Sequence, residues 1–282
     1  MYGKSIELFL VNGTADGVIT AELSNWNGKA IKIPRIEVSD CKRQDISGPG
    51  VYFLFCRDDD DRDSVYIGEA ENIKERLVQH IQDFTADKEK YYWNTAVAFT
   101  GRDLNKALIR YLENKLVGIA RESRRYEVLT KNTYRNTVLK ESQIAAMEEF
   151  IDNIRILLGT LGYKVLEPVL KKNENDHSDA FYINIGNASA EGRITAEGFV
   201  LLSGARINEK TNTGSLSNGM VKLRTKHIES DHVVDYVTTE DILFSSSSAA
   251  ADFVLGYSVS GPATWKNCYG DSLRESESKE NT

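Results

Sequence analysis

The sequence predicts an α+β protein: a β-rich start, a domain of strands and helices, and a second, smaller mixed domain. Three observations carry that prediction. Up to Ala70, short runs rich in β-branched and aromatic residues alternate with glycine and asparagine turns. Between Asn72 and Leu161, three segments repeat apolar residues at helical spacing. Beyond a polar, charged bridge at residues 171–179, the chain becomes strand-like and glycine-punctuated. At 282 residues it can bury ordinary cores.

Taken in order, SIELFLV, GVITAEL and KAIKIPRI predict two or three strands, forming an N-terminal β unit over residues 1–45. GVYFLFC and SVYIGEA are two further strands. The acidic residues Asp58 to Asp61, with Asp63, lie between them and lack the glycine and spaced ligands of a calcium loop, so they read as a solvated hairpin tip. NIKERLVQHIQDF is a helix capped by Asn72, with Ile73, Leu77, Ile81 and Phe84 as its buried stripe. Arg76 and His80, four apart, project together from a different face. DLNKALIRYLENKLVGIARES is a second helix, capped by Asp103. Its stripe is Leu104, Leu108, Tyr111, Leu112, Leu116 and Ile119, and Glu113 sits one residue off it. Ser142 to Leu161 is the third, with Ile144, Met147, Ile151, Ile154 and Leu158 inward and Gly162 as its stop. These elements form a domain over 46–168.

A C-terminal domain over 169–270 follows. FYINI and GRITAEGFVLLSGARI are its strands, SSSSAAADFVLGYS is a helix closed by Gly256, and GPATWKN is a loop or final strand. Residues 271–282 read as a disordered tail.

The bulk properties limit function. The net charge of −7 excludes a protein that grips nucleic acid over its whole surface, because lysine and arginine must replace the condensed counterions. Any such site is local. From Gly101 to Lys140, ten basic residues face four acidic ones, a net charge of +6. Lys106, Arg110, Arg121, Arg124 and Arg125 are the candidate phosphate-tracking residues there, an ordinary exposed basic face being the plain alternative. No apolar run approaches the roughly 20 residues of a membrane helix. The start lacks a signal peptide's apolar core, and Cys41, Cys56 and Cys268 are isolated. A cytoplasmic location with reduced thiols is therefore expected.

Tyr52 and Tyr66 fall on adjacent strands. Gly50 and Gly68 leave room for a backbone or phosphate to come close. Arg76 is a planar, permanently charged fork suited to phosphate. His80 can move a proton near neutral pH. Glu113 offers a carboxylate to a hard cation. The set is a toolkit for metal-assisted phosphodiester hydrolysis. The plain readings are packing tyrosines and a solvated helix face. Trp93, with Tyr91 and Tyr92, either stacks bases or packs the core.

The segment from Gly50 to about Leu161 resembles the GIY-YIG nuclease superfamily. Gly50-Val51-Tyr52 matches its first motif, with Val where Ile is usual, and Tyr66-Ile67-Gly68 matches the second. YIGEAENIKERLVQH matches the run into the following helix and supplies Arg76 and His80, and LEN supplies Glu113. Asn132 is the best match to a later asparagine, with Asn136 competing. The loop between the two motifs is somewhat longer than usual.

The resemblance implies a small antiparallel sheet flanked by helices, and a metal-dependent endonuclease acting on DNA in restriction, repair or phage defence. It implies Tyr52 as general base or water-orienting group and Tyr66 on the phosphate or the water. Arg76 would stabilise charge growing on phosphorus, His80 would orient water or relay a proton, and Glu113 would hold one Mg²⁺ or Mn²⁺. Glu113 and Arg76 are expected to be exposed. The alternative is a catalytically silent module that binds nucleic acid or protein through the same fold.

The C-terminal part, with AEGFVLLSGARI, DILFSSSSAAADFVLGYSVSG and TWKN, resembles a bacterial domain of unknown function that often accompanies such nucleases. A homodimer or a protein partner bound through this domain is the remaining partner expectation, and no membrane partner is expected.

Overall fold

A computed structural model describes residues 2–57, 63–131, 138–170, 180–230 and 232–280. Asn132 and Asn136, the acidic run 58–61 and the bridge 171–179 lie outside the described residues. The architecture is mixed α+β, in two compact units, Met1–Pro168 and Val169–Thr282. Among the described residues, no helix is long and apolar enough to cross a membrane.

The first unit contains β1 (Ile6–Leu10), β2 (Ile19–Leu23), β3 (Gly28–Pro34), β4 (Gly50–Arg57), β5 (Asp63–Ala70), α1 (Ile73–Thr85), β6 (Trp93–Gly101), α2 (Lys106–Ser123), β7 (Glu127–Val128) and α3 (Glu141–Thr160). Its strands form one seven-stranded sheet in the order β1-β2-β3-β6-β4-β5-β7. Neighbours are antiparallel except β5 and β7. The expected separate unit over residues 1–45 is thus corrected: β3 pairs with β6 from Gly28↔Gly101 to Pro34↔Thr95. The physical reason is that β6 has peptide groups on both edges, and β4 satisfies only one of them.

Strand alternation divides the side chains between two cores. Val51, Phe53 and Phe55 of β4 pack on one face with α2 and α3 residues such as Leu112, Leu116 and Ile154. Tyr52, Leu54 and Cys56 point to the other face, with Ile73 and Leu77 of α1. Trp93 is fully buried among them, which settles it as a packing residue.

Asn72 caps α1, accepting from the Glu75 amide. The cap of α2 is Asn105, whose Oδ1 accepts from the Ala107 and Leu108 amides at 3.0 and 3.2 Å. The expected cap Asp103 instead accepts from Asn27 Nδ2 at 3.4 Å, so the turn runs two residues longer before the helix begins. In α3, Phe150 and Leu157 join the buried stripe while Ile144, in the first turn, is exposed.

The second unit contains β8 (Ala180–Ile185), β9 (Ala188–Thr195), β10 (Gly198–Leu201), α4 (Asn218–Ile228), β11 (Val233–Val234), β12 (Val237–Thr238), β13 (Ile242–Phe244), α5 (Ser247–Leu255), α6 (Gly261–Thr264) and α7 (Leu273–Glu280). Its antiparallel sheet runs β13-β10-β9-β8. Phe199, Phe253 and Trp265 centre its core. Gly256 closes α5 at φ 74°. The first four residues of GPATWKN form the short α6, after which Lys266 makes isolated bridges to Tyr182 and Ser272. The expected disordered tail is corrected as well. Leu273 is buried, and Ser272 and Glu275 cap α7 reciprocally: Glu275 Oε2 accepts from the Ser272 amide at 2.8 Å and Ser272 Oγ from the Glu275 amide at 3.3 Å.

Candidate functional site

The site grows from the β4–β5 register. Tyr52 stands opposite Gly68. A Cβ at Gly68 would lie 2.4 Å from the Tyr52 hydroxyl, so the space that the sequence suggested for a phosphate is filled by the phenol. Gly68 is a packing glycine for Tyr52. Tyr66, on the same face as Gly68, stacks near Tyr52 with ring centroids 6.2 Å apart and continues to Tyr91 at 5.7 Å.

Helix α1 supplies the other two groups. Arg76 Nε donates to the Tyr52 hydroxyl oxygen at 3.3 Å, and Nη1 donates to Gln79 Oε1 at 2.8 Å. His80 Nε2 is 2.9 Å from the same hydroxyl. His80 is completely buried, not on a separate outward face. The reason lies in the helix period: residue 80 follows Ile73 by seven and Leu77 by three, which returns it to the apolar stripe.

Behind His80 stands Glu89, which sequence reasoning missed. Its Oε1 is 2.5 Å from His80 Nδ1. The two hydrogen bonds order the ring: Nδ1–H donates to the Glu89 carboxylate, and Nε2 accepts from the Tyr52 hydroxyl. Arg35, also buried, lies over Phe84, Tyr92 and Trp93 at 5.2, 4.6 and 4.7 Å. Burial pushes His80 down to about 3, with the Arg76 and Arg35 guanidiniums adding to the effect. Burial also pushes the Tyr52 phenol well above its ordinary value and raises Glu89. Tyr66 is raised by burial too, against the pull of Arg76.

Glu113 comes from α2, on the other sheet face, and its charge reaches Tyr66. It is 5% exposed, so the expectation of an exposed carboxylate is corrected. Burial and the neighbouring Glu69 push it up to about 7. Its Oε2 has no hydrogen-bond partner among the described residues. Glu69, buried and also missed from sequence, holds Lys106 at 3.2 Å and Arg110 at 3.7 Å. Among the described residues, no three His, Cys, Asp or Glu side chains are grouped to hold a metal ion. An orphaned carboxylate oxygen still fits a hard cation whose other ligands are water and phosphate oxygens.

The five basic candidates do not form one track. Lys106 and Arg110 sit beside Glu69, near Glu113. Arg110 and Arg121 are eleven residues apart, about 16 Å along a helix. At that far end, Arg121 Nη2 donates to the Thr130 carbonyl at 2.6 Å. Arg125 donates to the Glu167 and Pro168 carbonyls at 2.7 and 3.1 Å. Arg124 takes the left-handed position ending α2, at φ 52°. Arg121 and Arg125 therefore tie loops to the helix.

Residues 181–277 match the model of a family described as "Domain of unknown function (DUF4357)". No curated protein and no solved structure matches the chain.

Proposed function

We propose that the first unit is a metal-dependent endonuclease of the GIY-YIG kind, hydrolysing phosphodiester bonds of DNA. The observation that supports it best is the Tyr52 hydroxyl, which meets both Arg76 and His80 in a buried setting. A buried phenol needs one hydrogen-bond partner, and a guanidinium together with an oriented imidazole exceeds what packing alone requires. DNA, as the substrate, rests on the resemblance of the two tyrosine motifs and of the helix that follows them.

In this reading, Tyr52 takes a proton from the attacking water as its own proton passes to His80 Nε2. The imidazolium so formed faces the Glu89 carboxylate. A resting His80 is held neutral between two guanidiniums, and an arriving phosphodiester brings the negative charge that offsets them. The water oxygen forms its bond to phosphorus as the bond to the leaving oxygen breaks. Arg76 carries the charge that grows on the phosphoryl oxygens. Tyr66 orients the phosphate. Glu113 is the residue that would hold Mg²⁺ or Mn²⁺, which supplies Lewis-acid stabilisation of the phosphate and leaving oxygen when bound.

The direct test is cleavage of labelled single- and double-stranded DNA with Mg²⁺ or Mn²⁺, with EDTA as control. Metal-dependent cutting is expected. DNA retained on a gel without cutting on any substrate would favour a silent binding module instead.

A second test isolates Glu89. Glu89→Gln should lower the cleavage rate by about one to two orders of magnitude, because the imidazolium loses its anionic partner. It should also move the acid limb of the pH–rate profile downward, since removing a negative neighbour disfavours protonated His80. A lowered melting temperature with an unmoved limb would make Glu89 a packing residue only.

A further inference from the structure

The second unit carries a cleft of about 870 Å³ whose construction is independent of the nuclease reading. Ile207 and Leu255, both buried, supply its apolar base, and Tyr236 and Tyr257 its aromatic lining. Arg206 and Lys210, both exposed, supply the cations, against the single acid Glu209. Among the described residues, neither cation is paired with a carboxylate.

Two features separate this cleft from an incidental surface groove. The first is the turn that carries Tyr236. Strands β11 and β12 pair Val234 with Val237, leaving a two-residue loop, Asp235-Tyr236, with φ of 50° and 60°. Such a loop asks for Asn-Gly, because both residues need the left-handed region that L side chains rarely adopt. A tyrosine there departs from the local rule at a position that lines the cleft, and such departures gather at ligand sites.

The second is Arg224, which is completely buried. Its guanidinium donates to the Phe253 and Asn208 carbonyls and to Thr211 Oγ1. These bonds clamp the loop holding Lys210 against α5. A Cβ at Gly256 would come 2.2 Å from the Lys210 carbonyl, so the two segments meet backbone to backbone. Among the described residues, no carboxylate bonds to Arg224, and its charge reaches Tyr236. The cleft is therefore preformed, aromatic-lined and cationic.

We propose that this cleft binds a nucleotide, with the base against Tyr236 and the phosphate on Arg206 and Lys210. Stacking suits any base, because every base has a π-face, and exposed arginine and lysine suit a phosphate. The ligand is either a free mononucleotide or the 5′ end of a single strand.

The experiment is calorimetric titration of the full chain in EDTA. The probes are the four nucleoside 5′-monophosphates, a 5′-phosphorylated single-stranded oligonucleotide and inorganic phosphate. Saturable binding of a nucleotide or the oligonucleotide, with a Kd below about 1 mM, is expected. Tighter binding of the oligonucleotide that Arg206→Ala removes would identify the strand end, and equal binding the free nucleotide. Arg206→Ala and Tyr236→Gly should each weaken it about tenfold or more. Tyr236→Gly suits the turn but removes a ring that packs against the core, so Tyr236→Leu, which keeps apolar bulk without a π-face, should weaken binding likewise with a melting temperature within about 2 °C of wild type. Arg76→Ala, in the other unit, should bind the nucleoside monophosphates as wild type does. The proposal is overturned by any of three results: no saturable binding, inorganic phosphate bound as tightly as the nucleotide, or Tyr236→Gly binding unchanged.

Discussion

Glu113→Gln is expected to abolish metal-dependent cleavage, by about a thousandfold or more, while making the protein more stable to heat at pH 8 in metal-free buffer. Both effects follow from one buried carboxylate with an orphaned oxygen. In the folded chain Glu113 is pushed up to about 7, whereas an unfolded glutamate titrates near 4.3. The folded-state value is raised, so ionisation costs stability. That cost is absent below about pH 4, grows as pH rises from there to about 7, and is constant above. Glutamine removes it, for a gain on the order of 1–3 kcal/mol at pH 8, or roughly 5 °C in a unit of this size. The two melting temperatures should converge at pH 4. Mn²⁺ should raise the wild-type melting temperature at pH 7.5 and leave the variant's unmoved. Retained cleavage with a lowered melting temperature at pH 8 would remove Glu113 from the site.

Arg76→Ala should cost the cleavage rate a factor of about 10² to 10⁴, in line with losing a charged donor aimed where negative charge develops. It should cost little stability, because Arg76 is only half-buried and its partners are the Tyr52 and Tyr66 hydroxyls and the helix neighbour Gln79. A readout independent of turnover is the Tyr52 phenol itself. Arg76 lowers its pKa against the effect of burial, so the variant's phenol should ionise at still higher pH in a spectrophotometric titration. Arg76→Lys should recover only part of the rate, since an ammonium lacks the Nε donor that reaches Tyr52 from within a planar fork. Cleavage within threefold of wild type would end the role assigned to Arg76.

Local signals were legible in the chain wherever a residue's fate depends on its near neighbours. The strands of Tyr52 and Tyr66, the Asn72 cap and the Gly256 stop are of this kind. The capping box at Ser272 and Glu275 was equally local, yet a polar tail composition masked it. Contacts made across sequence were not legible. Glu89 reaches His80 after the chain has left α1, and nothing in DKEKYYW marks that glutamate above its neighbours. Glu69 reads as an ordinary strand charge until α2 delivers Lys106, Arg110 and Glu113 around it. The basic run on α2 misled for the same reason: charge is visible in sequence, while the carbonyls that occupy Arg121 and Arg125 are not.

The pairing of β3 with β6 bears on how such a unit can be cut and recombined. A gene fragment opening at residue 46, just ahead of the first tyrosine motif, would encode every catalytic candidate yet strip β6 of its outer partner along seven residue pairs. Such an edge, rich in alanine, valine and phenylalanine, is a template for sticking to other chains. The portable piece, in a laboratory fusion or in the shuffling of genes, is therefore the whole 168-residue block.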